Sequence, residues 1–270
     1  MRICLAALVV LVLPYSVRGA TSFSPDISGL WWNPDESGWG VNLIQQGSTI
    51  FATFFVYGAD GRPSWFTASD MRGPSAPGEP MVFSGKLYES TGPAFSSSFD
   101  PNAVVRREVG NATFEYLSLN EGTLTYSVNG VPVTKQIRRQ TWALNDITGH
   151  FIVNRVLRGQ NCDPATPVIE QLGVMEVVRG PDDAVHILNR PIAPYAALSC
   201  GYSGTYSQDG RMGTIRGGHT CGNMTSGDFV LSEVEVSPQG FSAKLTQTFM
   251  GCTRSGTFGG PRATVPATSN

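Results

Sequence analysis

The stretch TIFATFFVYGADGRPSWFTAS, residues 49–69, decides the fold class. Its first nine residues, Thr49–Tyr57, are almost all β-branched or aromatic, and such side chains favour strands. Asp60 and Gly61 follow, and both tolerate the positive backbone angles of a tight hairpin turn. A second run at 64–69 has the same composition as the first. The stretch therefore predicts two antiparallel strands joined by a short turn.

This strand–turn–strand pattern fills the chain. It has 31 glycines among 270 residues and 10% aromatics, and no long window places apolar residues at helical spacing. Eight strands in hairpin succession predict an up-and-down barrel, which leaves no exposed sheet edge. We predict strands at 29–33, 40–46, 49–57, 64–69, 82–89, 112–119, 122–129 and 131–143, and again at 149–156, 173–179, 184–189, 201–206, 211–217, 228–236, 241–248 and 256–260. The fold class is all-β, with two antiparallel β-barrel or barrel-like domains in tandem and a long loop at 90–109.

Composition divides the chain near residue 144. All five tryptophans lie before residue 143, whereas all three histidines and four of the five cysteines follow it. We expect a Trp-rich barrel domain at 21–144 and a disulfide-containing β domain at 145–270. The sequence at 26–29, Asp-Ile-Ser-Gly, returns at 146–149 as Asp-Ile-Thr-Gly. This repetition is consistent with duplication of one half of the chain. It is equally consistent with two unrelated strands that begin in the same conformation.

The N-terminus has the pattern of a secretory signal peptide at 1–20. Arg2 precedes an apolar run at 3–13, and Gly19 and Ala20 offer a small residue for cleavage. The run is too short to cross a hydrocarbon layer of ~30 Å. We expect a periplasmic or secreted protein with no transmembrane segment in the mature chain. Without Arg2 and Arg18 the formal charge falls from −2 to −4, and since no Lys/Arg stripe is present we expect no nucleic-acid partner.

Four cysteines remain after the signal: Cys162, Cys200, Cys221 and Cys252. An even count in an exported chain predicts two disulfides, with three possible pairings. We favour Cys162–Cys200 with Cys221–Cys252. Because no C-x-x-C pair occurs, we expect no zinc site, and we expect no other metal or cofactor.

The residues at 29–40, Gly-Leu-Trp-Trp-Asn-Pro-Asp-Glu-Ser-Gly-Trp-Gly, form a distinctive module with 51–57, 60–63 and Trp65. The module resembles one that recurs in a family of exported proteobacterial β-proteins, and residues 204–260 resemble the C-terminal part of some of them. The resemblance implies an exported, Gram-negative context and supplies no catalytic residues. Residues 27–33 also resemble the first strand of avidin-type barrels, and this resemblance implies that Asn33 faces a ligand.

Motifs for catalysis are missing from the sequence. It contains no G-x-S-x-G elbow, no H-E-x-x-H and no P-loop. His150, His186 and His219 are scattered on or beside predicted strands. Asp35 and Glu36 are adjacent acids beside aromatic residues, and a pair held across a sugar could hydrolyse it, but a solvated turn explains them more simply. We therefore lean against an enzyme.

The aromatic residues give the better functional prediction. The candidate ligand-binding residues are Trp31, Trp32, Asn33, Trp39, Tyr57 and Trp65. They predict an exported, non-enzymatic binding module with an aromatic-lined site for a small apolar ligand or a glycan. A barrel core would also explain part of this set. The run at 54–57 further predicts a strand buried on one side and covered on the other by the second domain. Two alternatives stay open: a structural or interaction protein, such as a secreted protease inhibitor or an envelope component with a protein partner, and a hydrolase without a recognisable motif.

Overall fold

The protein consists of two closed, eight-stranded antiparallel barrels, which confirms the all-β prediction of two tandem barrels. The computed structural model describes residues 24–94, 96, 98–118, 120–162, 168–192, 199–222 and 226–263. The expected signal peptide at 1–20 lies outside them. In this described part of the chain, no helix is long and apolar enough to cross a membrane.

All sixteen strands lie where the sequence predicts one, and several are longer than predicted. The first barrel contains β1 (Gly29–Trp32), β2 (Gly40–Gln46), β3 (Thr49–Tyr57), β4 (Pro63–Arg72), β5 (Val82–Thr91), β6 (Val105–Tyr116), β7 (Glu121–Val128) and β8 (Val131–Arg139). The second contains β9 (Gly149–Gln160), β10 (Val168–Arg179), β11 (Ala184–Pro191), β12 (Cys200–Asp209), β13 (Met212–Cys221), β14 (Ser226–Val236), β15 (Gly240–Phe249) and β16 (Cys252–Pro261).

Side chains alternate between the inside and the outside of each barrel, as the pleat of a strand requires. In β3 the buried residues are Ile50, Ala52 and Phe54, and the residues between them are exposed or half-buried. The inward residues of each barrel form one apolar core. The two cores are separate, so each barrel encloses its own interior.

One closing arrangement occurs at the start of both barrels. Ile27 and Ile147 are fully buried plugs, each beside an aspartate that accepts a hydrogen bond from a main-chain amide two residues later. An arginine at the end of the last strand, or one residue beyond it, then lies over the first aromatic ring of the barrel. The guanidinium of Arg139 lies 5.1 Å from the Trp31 ring, and that of Arg262 lies 4.8 Å from the Phe151 ring. We call this end of each barrel its base.

In each base the arginine donates a hydrogen bond to the main-chain carbonyl at the equivalent position of its own barrel. Arg139 Nη1 donates to the Ser28 carbonyl at 2.9 Å, and Arg262 Nη1 donates to the Thr148 carbonyl at 2.8 Å. Arg139 also donates to the Asp26 carbonyl at 2.7 Å. The Asp-Ile-Ser/Thr-Gly sequence that occurs at 26–29 and 146–149 therefore forms the same closing arrangement at the base of each barrel.

The barrels meet where the β12–β13 turn contacts the base of the first barrel. Asp209 accepts a hydrogen bond from the Asn120 amide at 2.8 Å, and the Gly210 amide donates to the Thr141 hydroxyl at 2.8 Å. Arg211 forms an ion pair with Asp26. The opposite end of the first barrel, formed by the segments at 33–39, 58–62 and 129–130, is called the mouth.

Two expectations need correction. The loop predicted at 90–109 is partly strand, because β6 begins at Val105 and pairs with β5; Arg107 forms an ion pair with Glu89 at 2.7 Å. The predicted disulfide pairing is wrong, since the bonds join Cys162 to Cys252 and Cys200 to Cys221.

The physical reason for the disulfide correction is sheet order. Cys200 and Cys221 are opposite each other in the β12–β13 register, with Cα atoms 4.0 Å apart. Cys162 follows β9, and Cys252 begins β16, the strand that closes the barrel against β9. Both bonds therefore join neighbouring strands at the end of the second barrel that lies away from its base.

Candidate functional site

The first barrel is closed by an unusually short seam. Strand β1 has only four residues and pairs with β8 at two positions, Trp31 with Arg139 and Trp32 with Arg138. The β8 residues at 131–137 therefore have no strand partner on that side. The matching seam of the second barrel, between β16 and β9, has seven paired positions. A gap in the wall of the first barrel follows directly from the shortness of β1.

The segment at 33–39 bridges this gap. Asn33 Oδ1 accepts a hydrogen bond from the Asp35 amide at 2.9 Å and caps a short 3-10 helix at Pro34–Glu36. The Glu36 carboxylate then accepts from the Trp39 indole at 3.0 Å and from the Lys135 ammonium at 2.8 Å. The seam is thus held by side chains where its strands do not pair.

A cavity of about 430 Å³ opens at the mouth beside this seam. An adjoining cavity of about 350 Å³ shares Val56, Tyr57 and Tyr126 with it and extends to Glu36 and Lys135. Volumes of this size fall in the range of small-molecule sites. The larger cavity is lined by Val56, Tyr57, Gly58, Ala59, Ser64, Phe66, Glu89, Tyr126, Val128, Asn129, Val131 and Val133.

The walls are apolar, with few polar groups among them. Phe66 is buried at the bottom, and the Tyr126 ring packs edge-on against Phe54 with centroids 5.6 Å apart. Burial raises the pKa of the Tyr126 phenol, which stays neutral at physiological pH and can donate a hydrogen bond. Tyr57 donates its hydroxyl to the Gly38 carbonyl at 2.9 Å, and this bond fixes its ring at the rim.

The predicted site residues fall into three places. Trp39 and Tyr57 lie together at the mouth. Trp31 is fully buried in the core, where its indole donates to the Ile27 carbonyl at 3.0 Å, and Asn33 acts as a helix cap. The other two, Trp32 and Trp65, point away from the interior. Because adjacent strand residues face opposite sides, Trp31 and Trp32 cannot share one site.

The outer wall carries a row of aromatic side chains. Register places Phe55 opposite Trp65 on β4 and opposite Gly40 on β2, and β2 in turn pairs with β1, the strand of Trp32. Phe55 is 52% exposed and Trp65 is 48% exposed. The expectation that the second domain covers this face is therefore wrong, because the second barrel contacts the base of the first.

The candidate acids lack the environment of a catalytic pair. The hydrogen bond from Lys135 is the main cause that lowers the pKa of the Glu36 carboxyl, so Glu36 is a poor proton donor at neutral pH. His186 Nδ1 lies 3.0 Å from the Ser203 hydroxyl, but both side chains are exposed on the outer wall of the second barrel. Among the described residues, no group of three or more potential ligands could hold a metal ion.

The mouth contains residues that the sequence did not single out. Tyr126 and Val128 come from β7, and Val133 and Lys135 come from β8. They reach the site only because β8 pairs with β1. This pairing closes the first barrel and brings its last two strands next to its first ones. These residues alternate in the sequence with Thr125, Ser127 and Thr134. This alternation could have identified them as the inward-facing residues of the last two strands.

Comparisons with known proteins add little to this description. No family model and no curated protein match the chain. Among solved structures, a Bacteroides fragilis chain described as a candidate outer membrane protein aligns with it at a TM-score of 0.31 and 13% identity. The alignment covers 89% of this chain and 98% of that chain. A likeness at this TM-score carries no argument about function.

Proposed function

We propose that the protein is an exported, non-enzymatic binding protein whose first barrel takes a small apolar ligand at its mouth. The observation that carries the proposal is the cavity of about 430 Å³ beside the short seam. Barrel mouths are common ligand sites, and apolar walls with a few polar groups are typical of them. Tyr126 and the Glu36–Lys135 pair supply those polar groups.

The exported location rests on two features of the chain. The apolar run at 3–13 has the length and flanks of a signal peptide. Disulfides persist in oxidising compartments such as the periplasm, and this protein has two. The resemblance of residues 29–40 to an exported proteobacterial family supports the same location.

A fluorescence titration tests the mouth as a binding site. N-phenyl-1-naphthylamine is a neutral apolar fluorophore that brightens when it leaves water. We expect saturable binding by the wild type and loss of binding in Val133→Trp, because the larger side chain fills the cavity. Thr134→Trp is the matched control, since it places the same side chain one residue further on, at an exposed position.

Two results would reject the proposal. One is the absence of saturable binding by the wild type with this probe and with a set of neutral lipids. The other is equal loss of binding in Val133→Trp and Thr134→Trp, since that would show a general effect of the added tryptophan.

A second candidate function uses the outer wall. The exposed pair of Phe55 and Trp65, with the half-buried Trp32 on the same wall, favours contact with another macromolecule or stacking on a glycan, because such rings usually find a partner. The double variant Phe55→Ala/Trp65→Ala should abolish pull-down of a stoichiometric envelope partner or retention on a glycan array. The same variant should leave the fluorophore titration unchanged, which separates this function from the mouth.

A further inference from the structure

The second barrel contains a polar layer inside its wall, near the disulfide end. Seven of its eight strands contribute one inward polar side chain, and β14 alone contributes a phenylalanine, Phe229. The seven are Arg155, Gln171, Asn189, Tyr202, His219, Gln247 and Arg254. All but Arg254 are at most 4% exposed. We call this set the polar layer.

Hydrogen bonds join the polar layer around Arg155. Its Nη1 donates to the Tyr202 hydroxyl at 2.7 Å, and its Nη2 donates to the Gln171 side-chain oxygen. Tyr202 donates in turn to Gln247 at 3.2 Å. Arg155 and Gln171 are direct register partners, as are Tyr202 and His219. The arrangement is therefore fixed by the strands.

The layer contains positive charge and no described counter-charge. Neither Arg155 nor Arg254 belongs to any ion pair among the described residues. Arg254 lies over the Phe249 ring at 4.8 Å. Burial, with a further contribution from Arg155, lowers the pKa of the Arg254 guanidinium. The buried guanidinium of Arg155 and the half-buried guanidinium of Arg254 thus repel each other.

Several polar atoms of the layer also lack a hydrogen-bond partner. They are the Nε atoms of Arg155 and Arg254 and Oδ1 of Asn189. A buried polar atom without a partner is destabilising, so each such group in a native protein needs an explanation, and a bound ion is one. Three unsatisfied atoms in one layer, two of them on cationic side chains, favour a bound anion.

We propose that the polar layer is a binding site for an anion with an oxyanion head group, either a carboxylate or a phosphate-like group. A planar guanidinium matches the oxygen geometry of both groups. In this assignment Arg155 and Arg254 supply the charge, and Gln171, Gln247 and Tyr202 orient the donors. His219, once protonated, adds another donor. The proposal is independent of the apolar site in the first barrel.

The competing explanation is that the layer is only structural support. Stability alone does not separate the two explanations, because Arg155→Met removes the hydrogen bonds to Tyr202 and Gln171 in either case. They differ in ligand binding: an anion site loses affinity in both Arg155→Met and Arg254→Met, whereas structural support predicts no saturable anion binding.

Calorimetric titration with three probes tests the proposal: sodium octanoate, inorganic phosphate and sodium sulfate, all at constant ionic strength. The full mature chain is used, with Val133→Trp as the background for octanoate so that the first barrel is blocked. We expect saturable binding of at least one probe and at least a tenfold loss of affinity in both Arg155→Met and Arg254→Met. Arg158→Met is the matched control, since this arginine is exposed on the outer wall of β9.

The pattern of results identifies the source of the head group. Octanoate binding alone indicates a carboxylate, and phosphate or sulfate binding alone indicates a tetrahedral oxyanion. The proposal is overturned if no probe binds the wild type, or if affinity falls equally in Arg158→Met. It is also overturned if Arg155→Met loses stability while Arg254→Met, which is folded, binds every probe as the wild type does.

Discussion

The two barrels have the same strand count, order and base, and they differ at the seam. The first barrel closes through two paired positions and the second through seven. The short seam leaves an apolar cavity beside Lys135, whereas the long seam allows a complete wall with a polar layer inside it. Strand number therefore sets the architecture of both barrels, whereas the length of β1 decides where the interior of the first barrel can be reached.

The two barrels also differ in the kind of residues that could bind a ligand. The sequence placed all of the candidate ligand-binding residues in the Trp-rich half. The disulfide-containing half instead carries the densest set of buried polar groups, including Arg155 and His219. The first barrel has an apolar mouth and the second a charged interior, so the two proposed sites would take ligands of different chemistry.

The largest expected effects concern the shared base. Trp31→Ala and Phe151→Ala should each lower the free energy of unfolding of their own barrel by about 3–5 kcal/mol, because both rings are fully buried. Trp32→Ala, on the outer wall next to Trp31, should cost much less. Hydrogen-exchange mass spectrometry reads the two barrels separately. Similar losses of protection from Trp31→Ala and Trp32→Ala would contradict the inside–outside assignment.

Removing a disulfide should lower the free energy of unfolding of the second barrel and leave that of the first barrel unchanged. The double variant Cys200→Ala/Cys221→Ala should cost the second barrel about 2–4 kcal/mol, through a less constrained unfolded chain. Tryptophan fluorescence reports on the first half only, because every tryptophan lies at or before residue 142. The fluorescence transition in urea should therefore stay where it is, while calorimetry shows an earlier second transition. A shift of both transitions would mean that the barrels unfold as one unit.

A smaller effect should appear as a pH dependence confined to the second barrel. Burial lowers the pKa of the His219 imidazole, with Arg155 acting in the same direction and the main-chain groups of Gly227 and Asp228 and the Asp228 charge opposing it. The unfolded chain therefore binds the proton more readily than the folded one. Stability that His219 contributes is present above its ordinary pKa of 6.5 and is lost as the pH falls below it.

Denaturation of wild type and His219→Phe between pH 5 and pH 7 measures this effect. The wild-type second barrel should lose stability towards the acid end more steeply than the variant. Equal slopes in the two proteins would show that His219 does not titrate in this range.

The fold was predictable because the local signals agree with one another. Turn residues such as Asp60-Gly61 and Asn129-Gly130 separate runs of β-branched and aromatic residues, and every predicted strand is present. The start of β6 was not predicted, because residues 105–109 were assigned to the long loop at 90–109. In the structure Arg107 pairs with Glu89 across the strands, and this long-range contact cannot be inferred from local composition.

The Cys200–Cys221 disulfide, in contrast, could have been predicted from the sequence. Cys200 and Cys221 are equally far from the turn between Asp209 and Met212, so a hairpin at that turn places them opposite each other. The sequence shows both the turn and the spacing, and the two observations had to be combined. The mouth could not be predicted in this way, because its residues on β7 and β8 meet β3 only after the barrel has closed.

The apolar ligand proposed for the mouth of the first barrel should travel with the purified protein. Organic extraction and mass spectrometry of the wild type, Val133→Trp and Thr134→Trp, each purified from the native host, detect it. We expect one apolar small molecule at a near-stoichiometric level in the wild type and in Thr134→Trp, and its loss from Val133→Trp. An equal amount of the same molecule in all three proteins, or none in the wild type, would contradict the proposal.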